Sequence, residues 1–489
     1  MIKTAVSKGF SIYKKLPKQG KASFWFLMCS FLQKGMSMIT TPIFTRIMST
    51  EDYGQLGGYY SWSSIIGSIV CLNLFAGVYT QGLVKFEEDK YRYSSSLQGL
   101  CLTLTLAWSV VYFIAREFWN NLFTLTTSQM VAMLITVWLS ASFSFWSVEQ
   151  RVEMTYTKLV VIIMAASVLQ PLVSIIFVLH NDDKVMARIM GGLVVEIVLY
   201  AWTFFAQLFK GKKLISKKHW IYALSFNIPL LPHYLSGSVL NTSDRIMISR
   251  IIGDSQAGIY TLAYSVSLIM MIFNNALIQT IEPWIYQKIK DKKVKDLSKV
   301  AYPAFIMVAI INVLLIIVAP EVIAIFAPPT YREGIWIIPS VALSVFFQFL
   351  YSFFATFEFY YEKTVYITCA TMGGALLNII LNLVFIKSYG YIAAGYTTLF
   401  SYIVYAAFHY FAMQKICKLY MDGVKPYSLK IIIAIGGLSI LVGLSVMFLY
   451  ELTIVRYMIL FAVVILCIWQ RKTIASYFKI MLSYKKQTS

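Results

Sequence analysis

Charge is scarce in this chain. Only 13% of its 489 residues are Asp, Glu, Lys or Arg, and the acidic sign is the rarer, 22 residues against 42 basic ones. With 59% apolar residues and a mean hydropathy of +0.70, this excludes a water-soluble globule, which could not hide so much apolar surface. Cysteine is sparse too. Cys29, Cys71, Cys101, Cys369, Cys417 and Cys467 lie far apart, mostly in apolar stretches. No CxxC pair and no Cys/His group at metal-ligand spacing occurs, so the thiols read as small buried side chains. A GxxxxGK[ST] phosphate loop is also missing, and no cofactor is expected. Polar stretches stay short: the largest expected outer loop, about 320–333, is too small for a catalytic domain.

What the chain has is apolar length. Fourteen stretches between 22–47 and 453–471 are each long enough to cross a hydrocarbon core of roughly 30 Å. The expected fold is therefore all-α and integral to the membrane. Lys-rich runs at Lys210–Lys218 and Lys288–Lys295 fall in alternate loops, and the positive-inside rule places both termini in the cytoplasm. The net charge of +20 then belongs beside anionic headgroups rather than on nucleic acid. Residues 1–21 carry six Lys, with Ile2, Val6, Phe10 and Tyr13 near helical spacing. They read as an amphipathic helix lying on the membrane.

One piece of sequence occurs twice. Thr45-Arg46-Ile47 leads through Gly54 to Tyr60-Ser61-x-Ser63-x-Ile65, and 204 positions later Ser249-Arg250-Ile251 leads through Gly258 to Tyr264-Ser265-x-Ser267-x-Ile269. Both copies bridge two apolar stretches across a short polar turn. A duplicated membrane unit points to a transporter of two halves with its substrate between them. The expected division is a six-helix lobe over 1–218, a second over 219–414, and two additional helices with a basic tail over 415–489. Six being even, the repeat is parallel rather than inverted.

Ionisable groups inside apolar spans cost roughly 2.5–3.5 kcal/mol each at mid-membrane, so each needs a partner or a watery cavity. Lys34 lies 13 residues beyond Lys21, about 20 Å along a helix and near the midplane. It reads as a cationic wall for a pyrophosphate or acidic sugar, or else as half of a structural ion pair. Arg46 and Arg250 occupy equivalent places in the repeat, as ligand contacts or as side chains that snorkel or cap a turn. Arg245 fits phosphate as a planar fork. Its neighbour Asp244 would hold that fork or carry a proton or sodium ion, and both equally fit structural pairs. Glu196 is the second ion-coupling candidate, by its depth in a span. Glu149, Glu282 and Glu358 fall at cytoplasmic ends, where basic loop residues fit as partners. Pro42, Pro229 and Pro232 are gating candidates, because proline bends a span, though a kinked static helix fits as well. Of the histidines only His233 draws attention, since it follows a proline, and His409 falls near a helix end.

The pattern Lys34-Gly35…Pro42…Thr45-Arg46-Ile47…Tyr53-Gly54, with Asp244-Arg245…Arg250…Gly258-Ile259-Tyr260, resembles the polysaccharide-transport branch of the MATE/MurJ/Wzx exporter superfamily. Within it the Wzx-type flippases are most similar. The resemblance implies alternating-access transfer of undecaprenyl-pyrophosphate-linked oligosaccharide repeat units, for O-antigen or a similar surface polymer, from the cytoplasmic to the outer leaflet. It implies a lipid-linked oligosaccharide substrate, membrane lipids, a proton or sodium gradient and a polysaccharide polymerase as partners, and no enzyme activity. The competing expectations are an ion-coupled multidrug or metabolite exporter of the same superfamily and a membrane polymerase or ligase. The first predicts cavity carboxylates outnumbering basic groups, and the second predicts large outer loops.

Overall fold

A computed structural model describes residues 18–469. The side chains of some residues in the first helix, Lys34 among them, fall outside that description. So do most of the expected amphipathic stretch 1–21 and the basic tail beyond 469.

Every regular element among the described residues is helical. The reason is the solvent: in lipid a backbone amide finds no water, and a helix satisfies its own N–H and C=O groups. The first unit comprises residues 1–48 and 59–235. Its helices are α1 (Lys18–Ile47), α2 (Thr50–Val70), α3 (Gly77–Lys85), α4 (Lys90–Ile114), α5 (Arg116–Phe123), α6 (Thr127–Val152), α7 (Tyr156–His180), α8 (Lys184–Gly211) and α9 (Lys217–Asn227). Local sequence sets several ends. Thr126 and Gln129 form a capping box at the start of α6, and the Asp183 carboxylate accepts the Met186 N–H to start α8. Helix α8 packs on α4, α6 and α7, while α1 lies against α7.

The second unit comprises residues 49–58 and 236–489, so the division falls inside α2. Its further helices are α10 (Leu231–Ile251), α11 (Asp254–Ser267), α12 (Ile269–Lys290), α13 (Ser298–Ile317), α14 (Ala319–Phe326), α15 (Ile338–Tyr360), α16 (Thr364–Tyr389), α17 (Ala393–Tyr420), α18 (Leu429–Ser445) and α19 (Thr453–Trp469). Helix α15 is its centre. The most apolar window of α15 is 83% buried, so it is apolar all round and wrapped by protein rather than lipid. Phe346, Phe349, Phe353, Phe354 and Phe357 are at most 1% exposed, and α12, α13, α17 and α18 cover it.

Among the described residues, nine helical stretches are long and apolar enough to cross a membrane. Two of the fourteen apolar stretches expected from sequence are interrupted rather than continuous. The stretch 53–80 breaks at residues 71–76, between α2 and α3, and 220–250 is interrupted by a 3₁₀ turn at Ile228–Leu230. Pro229 sits in that turn and Pro232 in the first turn of α10, where a missing N–H matters least. Pro42, by contrast, lies inside α1, which runs on through it.

Candidate functional site

In the second unit the polar residues converge on one aspartate. Asp244 of α10 is fully buried. Its Oδ2 accepts the Tyr260 hydroxyl of α11 at 2.6 Å and the Thr398 hydroxyl of α17 at 3.0 Å, while Oδ1 has no hydrogen-bond partner. Thr398 accepts Asn378 Nδ2 of α16 at 3.1 Å. Asn378 Oδ1 accepts Asn382 Nδ2 at 3.1 Å, and Asn382 Oδ1 accepts the Thr397 hydroxyl. All six are buried. A buried carboxylate oxygen without a donor is rare in a settled core and calls for a ligand. Oxygen donors with a single carboxylate suit a proton or a hard monovalent cation rather than a transition metal. Among the described residues no group of three or more His, Cys, Asp or Glu is placed to hold a metal ion.

Arg245 forms no ion pair with that aspartate. Successive residues on a helix face different ways, and the Arg245 guanidinium lies 4.1 Å over the Tyr264 ring and donates to the Asn241 carbonyl at 2.9 Å. The Tyr402 hydroxyl holds the Asn241 side chain at 3.0 Å. Arg250 is exposed in the last turn of α10.

The duplicated motif forms a contact of its own. A Cβ on Gly54 would lie 1.8 Å from the Asp254 carbonyl oxygen, and one on Gly258 would lie 2.0 Å from the Thr50 oxygen. The start of α2 and helix α11 thus meet backbone to backbone through equivalent glycines, as small residues allow between membrane helices. The hydroxyls of Thr50 and Ser255 complete the crossing at 2.7 Å.

In the first unit Arg46 is exposed at the end of α1 and donates to the Pro42 carbonyl at 2.7 Å, capping its own helix. Glu196 is half-buried in α8. Its Oε1 accepts Gln170 Nε2 at 3.3 Å, and Oε2 has no partner. A basic residue that the sequence reading passed over lies on the same helix. Arg188 is half-buried, donates to Ser174 Oγ at 2.5 Å and stacks on Phe44 at 4.1 Å. A cavity of about 620 Å³ opens where α6 and α8 end and α7 begins, between Trp146, Glu149, Glu153, Tyr156, Trp202 and Lys210. Glu149 is 2% exposed there, bridged to Lys210 at 3.1 Å and bonded by Gln207.

Residues 20–289 match the family model described as polysaccharide biosynthesis protein. Two relatives from Haemophilus influenzae are 22% identical: the Lsg locus putative protein 1, over 72% of this chain and 88% of that protein, and an uncharacterized membrane protein, over 70% and 84%. Among solved structures, the lipid II flippase MurJ in an inward closed conformation aligns over 87% of this chain and 98% of its own, with a TM-score of 0.61 at 17% identity. An inward-facing multidrug resistance MATE family transporter aligns over 79% and 95%, at 0.59 and 12%. At these identities the structural likeness establishes the fold: an all-α transporter fold of the MurJ and MATE kind.

Proposed function

The chain belongs to the polysaccharide biosynthesis protein family, and on that premise we propose that it is a flippase for polyprenyl-pyrophosphate-linked oligosaccharide repeat units. Its place would be the bacterial inner membrane, with both termini cytoplasmic and the polar head carried outward by alternating access. The observation that carries the reading is that family membership on a helical multi-pass chain with the fold of a lipid II flippase. Lys34, Arg46, Arg245 and Arg250 supply the positive charge for a pyrophosphate, with Arg188 added to them. Glu196 and Asp244 are the ion-coupling groups, and Pro229 and Pro232 mark the bend of a moving helix, with Pro42 a gating position in α1. The buried Asp244 carboxylate, whose Oδ1 accepts no hydrogen bond and whose Oδ2 is tied through Thr398 to Asn378 and Asn382, supports binding of a proton or sodium ion.

The full chain in proteoliposomes, given a fluorescent polyprenyl-pyrophosphate-linked oligosaccharide, tests the proposal. The label should become accessible to a membrane-impermeant quencher on the opposite leaflet, faster under an imposed proton or sodium gradient. No transfer of that lipid, with efflux of organic cations instead, would make the chain a drug exporter of the same fold.

A further inference from the structure

Each half of the chain buries one glutamate in the last turn or so of a helix. Glu149 in α6 and Glu358 in α15 are 209 positions apart, the same offset that separates α8 from α17, two helices of 28 residues each. Both glutamates find their counter-charge on that later helix, but the counter-charges differ. Glu149 faces Lys210 of α8 at 3.1 Å, a cation at any physiological pH. Glu358 faces His409 of α17, with Oε1 2.7 Å from Nδ1, and imidazole is the side chain that titrates near neutrality.

The histidine pair is also the more enclosed of the two. Both of its side chains are fully buried, whereas Lys210 is 43% exposed. Glu358 Oε2 and His409 Nε2 both lack hydrogen-bond partners. The imidazole is held between aromatic rings: Tyr351 of α15 stacks on it at 5.3 Å and Tyr405 of α17 meets it edge-on at 4.6 Å. These tyrosines are its titratable neighbours on the two helices that bear the pair. From α16 the Thr371 hydroxyl reaches Tyr405 at 3.4 Å. From α12, Glu282 is engaged by Tyr286, whose ring lies 5.8 Å from Tyr360, and Lys288 is engaged by Asp296. From α13, Lys299 also pairs with Asp296 and Tyr302 accepts the Ser428 N–H; from α18, Lys430 is exposed. Among the described residues no Lys or Arg forms an ion pair with Glu358.

We propose that Glu358 and His409 form a proton-binding site that is loaded and unloaded in the transport cycle. In the unloaded state the neutral imidazole donates its Nδ1–H to the Glu358 carboxylate, and the pair carries one negative charge. A proton from water then bonds to the Nε2 lone pair, and no other bond breaks. The product is an imidazolium–carboxylate pair with no net charge. Burial disfavours the charged unloaded state far more than the neutral loaded one. An arrangement that closes protein around the pair therefore holds the proton, and one that admits water to Nε2 lets it leave. The Glu149 pair of the first half, with its lysine, has no such second state. Only the role in transport rests on the flippase reading; the binding itself does not.

The test is ¹⁵N NMR of the full chain with labelled histidine in lipid nanodiscs, titrated from about pH 5 to about pH 9, the range in which histidines change charge. The resonance that disappears in His409→Gln should pass from unprotonated to protonated Nε2 while its Nδ1 stays protonated. In Glu358→Gln its midpoint should move by about one pH unit or more, the size expected for losing a charge at contact. An Nε2 that keeps one state across the range, or an unmoved midpoint, overturns the site. Proteoliposome transport separates the second claim. Both variants should flatten the pH dependence of transfer, and Glu149→Gln should not. A titrating His409 in variants that keep the wild-type pH profile overturns the coupling role. A titrating His409 in a wild-type chain that moves no lipid-linked oligosaccharide leaves the site standing and removes the flippase reading.

Discussion

The Tyr260 hydroxyl donates to Asp244 at 2.6 Å, on the same carboxylate oxygen that Thr398 holds, and the other oxygen of Asp244 faces no donor. One oxygen of the aspartate is held by two hydroxyls, and the other keeps its full capacity to accept. Asp244→Asn keeps the shape and removes the charge. It should yield folded protein whose oligosaccharide transfer falls at least about tenfold, a loss equivalent to about 1.4 kcal/mol, and no longer responds to the coupling ion. Initial transfer rates with and without the gradient check this, and wild-type rates would remove Asp244 from the coupling site.

Tyr260→Phe deletes one of the two donors without opening a cavity. Leaving a buried carboxylate short of a hydrogen bond costs about 1–3 kcal/mol. The expected result is a lower melting temperature, seen by thermal unfolding in detergent, with the coupling ion restoring part of the loss as it fills the vacated valence.

Glycine at 54 and 258 is a steric requirement. A methyl group at either position would sit within 2.0 Å of a backbone oxygen of the facing helix, and backbone cannot step aside as a side chain can. Gly54→Ala and Gly258→Ala should each destabilise the protein by about 1–3 kcal/mol or more, the cost of overpacking. Gly58→Ala, four residues along the same helix and with nothing within 4 Å of its Cβ, should cost little. Thermal stability and yield of the three variants settle the comparison.

Lys210→Met removes the counter-charge of Glu149 and leaves Gln207 as a donor to the buried carboxylate. Breaking a fully buried pair costs about 3–5 kcal/mol. Because Lys210 is 43% exposed, solvent screening reduces the expected loss to about 1–2 kcal/mol. Adding Glu149→Gln should recover much of it, which a double-mutant cycle would measure.

Much of this was legible in the sequence, for reasons that differ by residue. Asp244 and Arg245 declare themselves because a charge inside an apolar run is costly enough to need a reason. Their divergence toward Tyr260 and Tyr264 follows from helix geometry. Asn378, Asn382 and Thr398 were invisible: neutral polar residues are ordinary in membrane helices, and they meet Asp244 only because α10, α16 and α17 pack together. The repeated glycines stood out as a duplication, yet nothing in the chain said that one copy would pack on the other. His409 was placed near a helix end because the apolar run fades at Met413. The helix continues to Tyr420, which puts the imidazole well inside it and against Glu358. Arg188 drew no reading from sequence; its contacts with Ser174 and Phe44 are tertiary. Hydropathy alone does not register the chain break at residues 71–76 or the 3₁₀ turn at Ile228–Leu230.

The most direct test of the flippase account is to delete the gene in its host and examine lipid extracts and surface glycans by mass spectrometry. The account predicts loss of one surface polymer, with its polyprenyl-pyrophosphate-linked repeat unit accumulating on the cytoplasmic side, and recovery when the wild-type gene is returned. Unchanged glycans, together with new sensitivity to organic cations, would contradict it.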